Sequence, residues 1–136
     1  METREITLDT GRQPVLVDLT DHCVRFLAEV DAIDGLLTVF VPHATAGVVV
    51  VELVAGTDAD LLAALDRLLP RDDRWRHAHG SPGHGADHVL PVLVSPSLVV
   101  PVVGGRMTLG TWQSIALLDP NRDNSRRHIR LSYLAG

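Results

Sequence analysis

The chain has 136 residues, with 12 basic against 17 acidic side chains and a net charge of −5 with histidine neutral. Overall charge therefore excludes a protein held electrostatically to nucleic acid or to anionic lipid, either of which would repel it. Hydrophobic residues make up 46% and aromatic residues 4%, enough apolar material for one packed domain and too few rings for a base-stacking platform.

The segment METREITLDT is charged and alternating, without the apolar stretch of a secretory leader. The apolar runs fall short of the roughly 20 residues that a membrane span needs. Cys23 is the single cysteine, which excludes an internal disulfide, a CxxC redox pair and a cysteine-rich zinc knuckle. The expectation is one soluble cytoplasmic domain over residues 1–136, with neither nucleic acid nor membrane as partner.

Residues 4–9, REITLD, alternate with period two and predict a strand ending at Thr10-Gly11. PVLVDL, residues 14–19, predicts a second strand. Thr20 and Asp21 then offer N-caps for a helix running to Ala32, with Val24, Leu27 and Ala28 at helical spacing. After the turn pair Asp34-Gly35, Leu36–Pro42 and Gly47–Leu53 are rich in valine and leucine and predict buried strands. His43-Ala44-Thr45 interrupts them. TDADLLAALDRLL, residues 57–69, is the clearest helix, capped by Thr57, acidic in its first turn and stopped by Pro70.

Residues 71–87 are polar, irregular and glycine-rich, and Gly80, Gly83 and Gly85 argue against a continuous helix there. A short helix over Asp87–Val94 follows, with Pro91 acceptable only near its start. Leu98–Val103, Arg106–Thr108, Gly110–Leu118 and Arg127–Leu134 predict the remaining strands, with Gly104-Gly105 as a hairpin turn. Trp112 reads as a core residue. Strands dominate and helices are inserted among them, so the class is α+β: a single domain with a mixed, mostly antiparallel sheet and two or three helices.

Four of the seven histidines fall within HAHGSPGHGADH: His77, His79, His84 and His88. Imidazole is the commonest metal ligand and the usual acid–base group near neutral pH. In an extended backbone His77 and His79 point to one side, whereas His84 and His88 share a face only if helical. A solvated, histidine-rich loop is the bland alternative. His43 lies between two apolar strands, at what reads as a sheet end. Glu52 follows four valines, either in water at a strand end or partly buried with a raised pKa. Arg126-Arg127 is a basic pair in an acidic chain, suited to a phosphate or simply solvated.

Three blocks together resemble a known family. His43-Ala-Thr-Ala-Gly with Glu52 is similar to an HTSAS…NE strand pair. Trp75-Arg76-His77 with His88, eleven residues beyond His77, is similar to a Y-x-H…H segment. Gly104-Gly105-Arg106 through Gly110-Thr-Trp-Gln, then Arg126-Arg127, is similar to G-R-L-x-x-G-T-W-Q…R. The family is the YjbQ-like family, named for a secondary thiamine-phosphate synthase activity.

The resemblance spans essentially the whole chain and implies a sheet folded on itself, a homotrimer and a polar pocket near the subunit boundary. It carries His43, Glu52, His77, His88 and Arg127 over as pocket residues. Val51 and Leu53 stand where the family has asparagines beside its glutamate, Asp58 or Asp60 stands in an ambiguous register for its aspartate, and His79 and His84 are additional.

The function expected from this is a small transferase-type enzyme acting on a phosphorylated small molecule, as in joining a thiazole phosphate to a pyrimidine pyrophosphate. His43, Glu52, His88 and Arg127 are its candidate catalytic residues. His77 and His88 are candidate ligands for a divalent metal, zinc or magnesium. The alternatives are a non-enzymatic trimer that binds a metal or small anion, and histidines that serve only as interface packing.

Overall fold

Alternation of period two places one face of each strand inward, and the computed structural model, which describes residues 1–120 and 122–136, shows where those faces meet. The elements run β1 (Glu2–Asp9), β2 (Val15–Asp18), α1 (Thr20–Glu29), β3 (Gly35–Phe40), β4 (Gly47–Val51), α2 (Thr57–Leu68), α3 (His84–Leu93), β5 (Ser97–Val103), β6 (Arg106–Met107), β7 (Ser114–Asp119) and β8 (Arg126–Ala135). Five strands form one sheet in the order β1-β8-β3-β5-β6, and three form a second in the order β2-β7-β4. Every pairing among the described residues is antiparallel.

The main core lies between the two sheets and α1. Leu37 and Val39 of β3, Val100 and Val102 of β5 and Ile129 and Leu131 of β8 meet Phe26 and Leu27 of α1 and Ile115 and Leu117 of β7. Fully burying side chains of this size contributes about 1.5–3 kcal/mol each. Strand β7 is central in the small sheet and covered on both faces, which is why its apolar run is continuous rather than alternating. Its other face packs through Leu118 against Leu90 and Val94, with Leu61 and Leu65 of α2 alongside. Helices α2 and α3 therefore roof the far side of the small sheet.

Several boundaries differ from expectation for local reasons. Thr20 does not cap α1: the cap position is Leu19, Asp18 accepts the Thr20 N–H at 2.8 Å, and the Thr20 hydroxyl accepts the N–H of Ile115 at 3.0 Å. Helix α2 is capped by left-handed Gly56 rather than by Thr57, and none of its residues is fully buried. Residues 110–113 are a turn, not strand: Gln113 N–H bonds the Gly110 carbonyl and Gly110 N–H bonds the Gln113 side chain. Trp112 rides on that turn at 71% exposure, so it is not core.

The largest correction concerns α3. It begins at His84 and contains Gly85, with left-handed Gly83 as its cap and Pro91 well inside it. Pro91 removes the N–H that would bond the Asp87 carbonyl. Starting there puts His84 and His88 one helical turn apart on the same face.

Candidate metal centre

The segment before α3 folds back onto the helix, and glycine is what permits it. A Cβ on Gly85 would lie 2.4 Å from the Trp75 Cβ and 2.6 Å from the His77 carbonyl. One on Gly83, whose φ is +77°, would lie 2.5 Å from the Arg71 backbone. The glycines that argued against a helix thus seat the loop carrying His77 and His79 directly on it.

The result is a group of four imidazoles. One nitrogen of each of His77, His79, His84 and His88 lies within 4.8 Å of the corresponding atom of every other. His84 Nε2 and His88 Nε2 are 3.0 Å apart, and the His77 ring centroid stands 4.0 Å from that of His79 and 4.2 Å from that of His88. His84 is buried, His88 half-buried, and His77 and His79 exposed. His88 is held below the usual imidazole pKa by burial and by repulsion from the other three rings. His77 is lowered in the same direction. For His77 and His88 the lowered pKa favours the neutral ring, the form that binds metal.

Carboxylates sit behind this group. Asp123 Oδ2 is 2.8 Å from His84 Nδ1 and accepts from the Ser81 N–H at 3.1 Å and the Ser81 hydroxyl at 3.0 Å. The Ser81 N–H is the main cause of its carboxyl lying below the usual range. Asp87 is buried and paired with Arg71, which also donates to the Pro120 carbonyl at 3.1 Å. Burial pushes the Asp87 carboxyl up against the opposing pull of Arg71. His77 and His84 border a cleft of roughly 370 Å³, with Trp75 and Ser81 on its wall.

The donor set fits a transition ion. Tetrahedral zinc bound at 2.0–2.1 Å holds its nitrogens about 3.3 Å apart, so small side-chain shifts bring the four rings to that spacing. Magnesium demands oxygen ligands and an octahedral shell. Imidazoles alone do not provide them.

The other expected site residues lie elsewhere. Arg127 and Asp119 are each 1% exposed and form a two-pronged ion pair at 2.8 and 2.7 Å. Arg127 also donates to the Thr45 hydroxyl at 3.1 Å, and Thr10 donates to Asp119 at 2.5 Å. His43 Nε2 accepts the backbone N–H of His128 at 2.8 Å. Burial, then the Arg127 and His128 charges, lower its pKa. Glu52 follows β4, half-buried, with no hydrogen bond or ion pair among the described residues. No hydrogen bond, ion pair or ring contact joins His43, Glu52 or Arg127 to the four imidazoles. Asp119 stands between the two groups electrostatically, since its charge acts on both His43 and Asp87.

Sequence reasoning found His77 and His88, recorded His79 and His84 as additional, and missed Asp87, Asp119 and Asp123. The signal available for His84 was its four-residue spacing from His88, set aside because of the glycines. Nothing local pointed to the carboxylates.

A family model described as UPF0047 protein YjbQ-like matches residues 4–136. The chain belongs to the YjbQ-like UPF0047 family. It is 59% identical to the UPF0047 protein Rv2556c of Mycobacterium tuberculosis over the full length of both chains. It is 34% identical to a UPF0047 protein of Archaeoglobus fulgidus, covering 92% of this chain and 96% of that one. The hypothetical protein APE1520 from Aeropyrum pernix K1 superposes with a TM-score of 0.92 at 33% identity, over 100% of both chains. A YbjQ-like protein of unknown function from Sulfolobus solfataricus P2 gives 0.92 at 28% identity, over 99% and 97%. These YjbQ-like structures share the α+β fold expected from the sequence. No helix among the described residues is long and apolar enough to cross a membrane.

Proposed function

We propose that the chain is a metal-dependent enzyme acting on a small phosphorylated molecule, with His77, His79, His84 and His88 as the metal's ligands. The observation that carries this reading is the convergence of four imidazole nitrogens within 4.8 Å. A zinc-class dication held there would supply positive charge to a departing or bound phosphate. The adjoining cleft of roughly 370 Å³ leaves room for a substrate beside the ligands. Thiamine-phosphate synthesis, in which a thiazole nitrogen attacks a pyrimidine methylene and pyrophosphate leaves, is one reaction such a site would assist. Arg127 is spent on Asp119, so in this reading it holds the two sheets together, and a bound metal would be what meets the phosphate charge.

A second reading is favoured by the same number four. Four imidazoles complete a tetrahedral shell, the pattern of a binding or structural metal rather than a catalytic one. Exposed Leu36, Phe40, Val99 and Leu134 lie on the outer face of the five-stranded sheet. That apolar surface supports the homotrimer the resemblance implies.

The test is zinc titration by calorimetry with metal content by mass spectrometry, on the wild type and on His88→Ala. The expected result is about one ion per chain and a loss of more than ~100-fold in affinity in the variant. Without metal, the two should melt within about 2 °C of each other. Wild-type protein that takes up no zinc overturns the reading. Turnover of a thiazole phosphate with a pyrimidine pyrophosphate by the loaded protein, lost in His88→Ala, supports the enzyme; stoichiometric metal with no turnover across a panel of phosphorylated metabolites supports the binder.

A further inference from the structure

We propose that Asp123 is a positioning residue for the four-histidine centre, a carboxylate that fixes the tautomer of His84 and so sets the affinity of the site. The inference rests on the metal reading above. Its starting point is a buried ring with one unsatisfied edge. The His84 side chain is 8% exposed, and its Nδ1 lacks an aligned hydrogen-bond partner. Two carboxylates face that atom: Asp123 Oδ2 at 2.8 Å and Asp87 Oδ2 at 3.7 Å. The first is at ion-pair distance but off the line of the ring N–H.

Asp87 binds Arg71 through Oδ1, and its Oδ2 stands beyond hydrogen-bond distance of His84 Nδ1. Asp123 is instead gripped by the Ser81 N–H and hydroxyl, and Ser81 lies between the loop ligand His79 and the helix ligand His84. One carboxylate therefore faces the His84 ring and also holds the Ser81 backbone in the loop that joins the two ligand pairs. The packing is tight, since a Cβ on Gly80 would fall 2.9 Å from Asp123 Oδ2 and 3.2 Å from the His84 ring.

A neutral imidazole carries one N–H. A carboxylate beside Nδ1 draws that hydrogen to Nδ1 and leaves the lone pair on Nε2. In His84, Nε2 faces His88 Nε2 at 3.0 Å, and a contact that short needs one donor and one acceptor. With His84 as acceptor, the proton sits on His88 Nε2. Metal binding then requires only that His88 give up or relocate that hydrogen, while His84 is already in its ligand form. Without the carboxylate, His84 is free to take the opposite tautomer and must reorganise first.

The experiment reads the tautomer directly. Nitrogen-15 correlation spectra of the imidazoles in metal-free wild type should show His84 as the Nδ1–H form. In Asp123→Asn, which keeps the shape and removes the charge, that population should fall and zinc affinity should drop about 10–100-fold. Asp123→Glu should restore part of the loss, and Ser81→Ala, which loosens the carboxylate, should show a smaller drop in the same direction. A wild-type His84 found mainly as Nε2–H, or an Asp123→Asn protein binding zinc as tightly as wild type, overturns the proposal. Failure of the metal reading looks different: wild type itself binds no zinc, while the metal-free spectra still report whether Asp123 sets the tautomer.

Discussion

The molecule holds two polar clusters that contrast in how their groups are satisfied. Around Arg127 and Asp119, one carboxylate receives two guanidinium bonds and a threonine hydroxyl, and the ion pair itself is shut from solvent. Around His77, His79, His84 and His88, four rings crowd together with one hydrogen bond among them, between His84 and His88, and half of the group open to water. A cluster whose bonds close internally has nothing left to offer a ligand. It works instead as a joint, and Arg127 on β8 with Asp119 on β7 ties the large sheet to the small one. The histidine group is poorly closed and costs the fold some stability, as expected where a partner is meant to complete it.

That contrast can be broken most forcefully at the joint. Arg127→Ala leaves Asp119 buried beside an empty space and should cost about 3–5 kcal/mol, measured by urea denaturation, with zinc affinity of the folded fraction nearly unchanged. A loss below about 1 kcal/mol would mean the pair is not the structural member of the comparison.

Next in size is Gly85→Ala. Helix propensity favours alanine by about 1 kcal/mol, but the new methyl would meet the Trp75 side chain at 2.4 Å and the His77 carbonyl at 2.6 Å. Overpacking of this kind costs about 1–3 kcal/mol, so the loop should lift from α3. Calorimetry should then show weaker zinc binding along with the stability loss, which ties the centre to the seating of the loop.

The smallest effect sharpens the boundary between the clusters. His43 has a folded-state pKa below its ordinary 6.5, so acid favours the unfolded chain, whose imidazole takes the proton more readily. Its contribution is complete above pH 6.5 and is lost as pH falls through the lowered folded value. Stability profiles of wild type and His43→Gln should therefore run parallel at alkaline pH and converge or cross in acid. Parallel profiles throughout would remove His43 from the acid-sensitive part of the joint.

Much of the architecture was legible because it is written in local pattern: period two in β1, the valine and leucine runs of β3 and β4, the glycine pair between β5 and β6, the acidic-led, proline-stopped run that became α2. The errors have separate local causes. Gly83 and Gly85 were weighed for what they do to a helix, when their decisive property is how closely another backbone can approach them. Trp112 was weighed for its apolar area, when the turn at 110–113 turns it outward. Of the candidate site, His77 and His88 were visible because they sit close in sequence. Arg127 read as a basic pair with no visible partner, since Asp119 reaches it only when two separate sheets stack. The pairing of Asp123 with Ser81 and His84 likewise depends on two loops meeting across the end of α3.

The four imidazoles all come from residues 77–88, and that contiguity has a thermodynamic cost for any protective role of the ion. A denatured chain keeps these rings within a short tether of one another and competes for the same zinc. Stabilisation by mass action counts only the difference between native and denatured affinities. Zinc should therefore raise the melting temperature by less than its affinity for the native protein would imply, whereas donors gathered from distant strands would not show that shortfall.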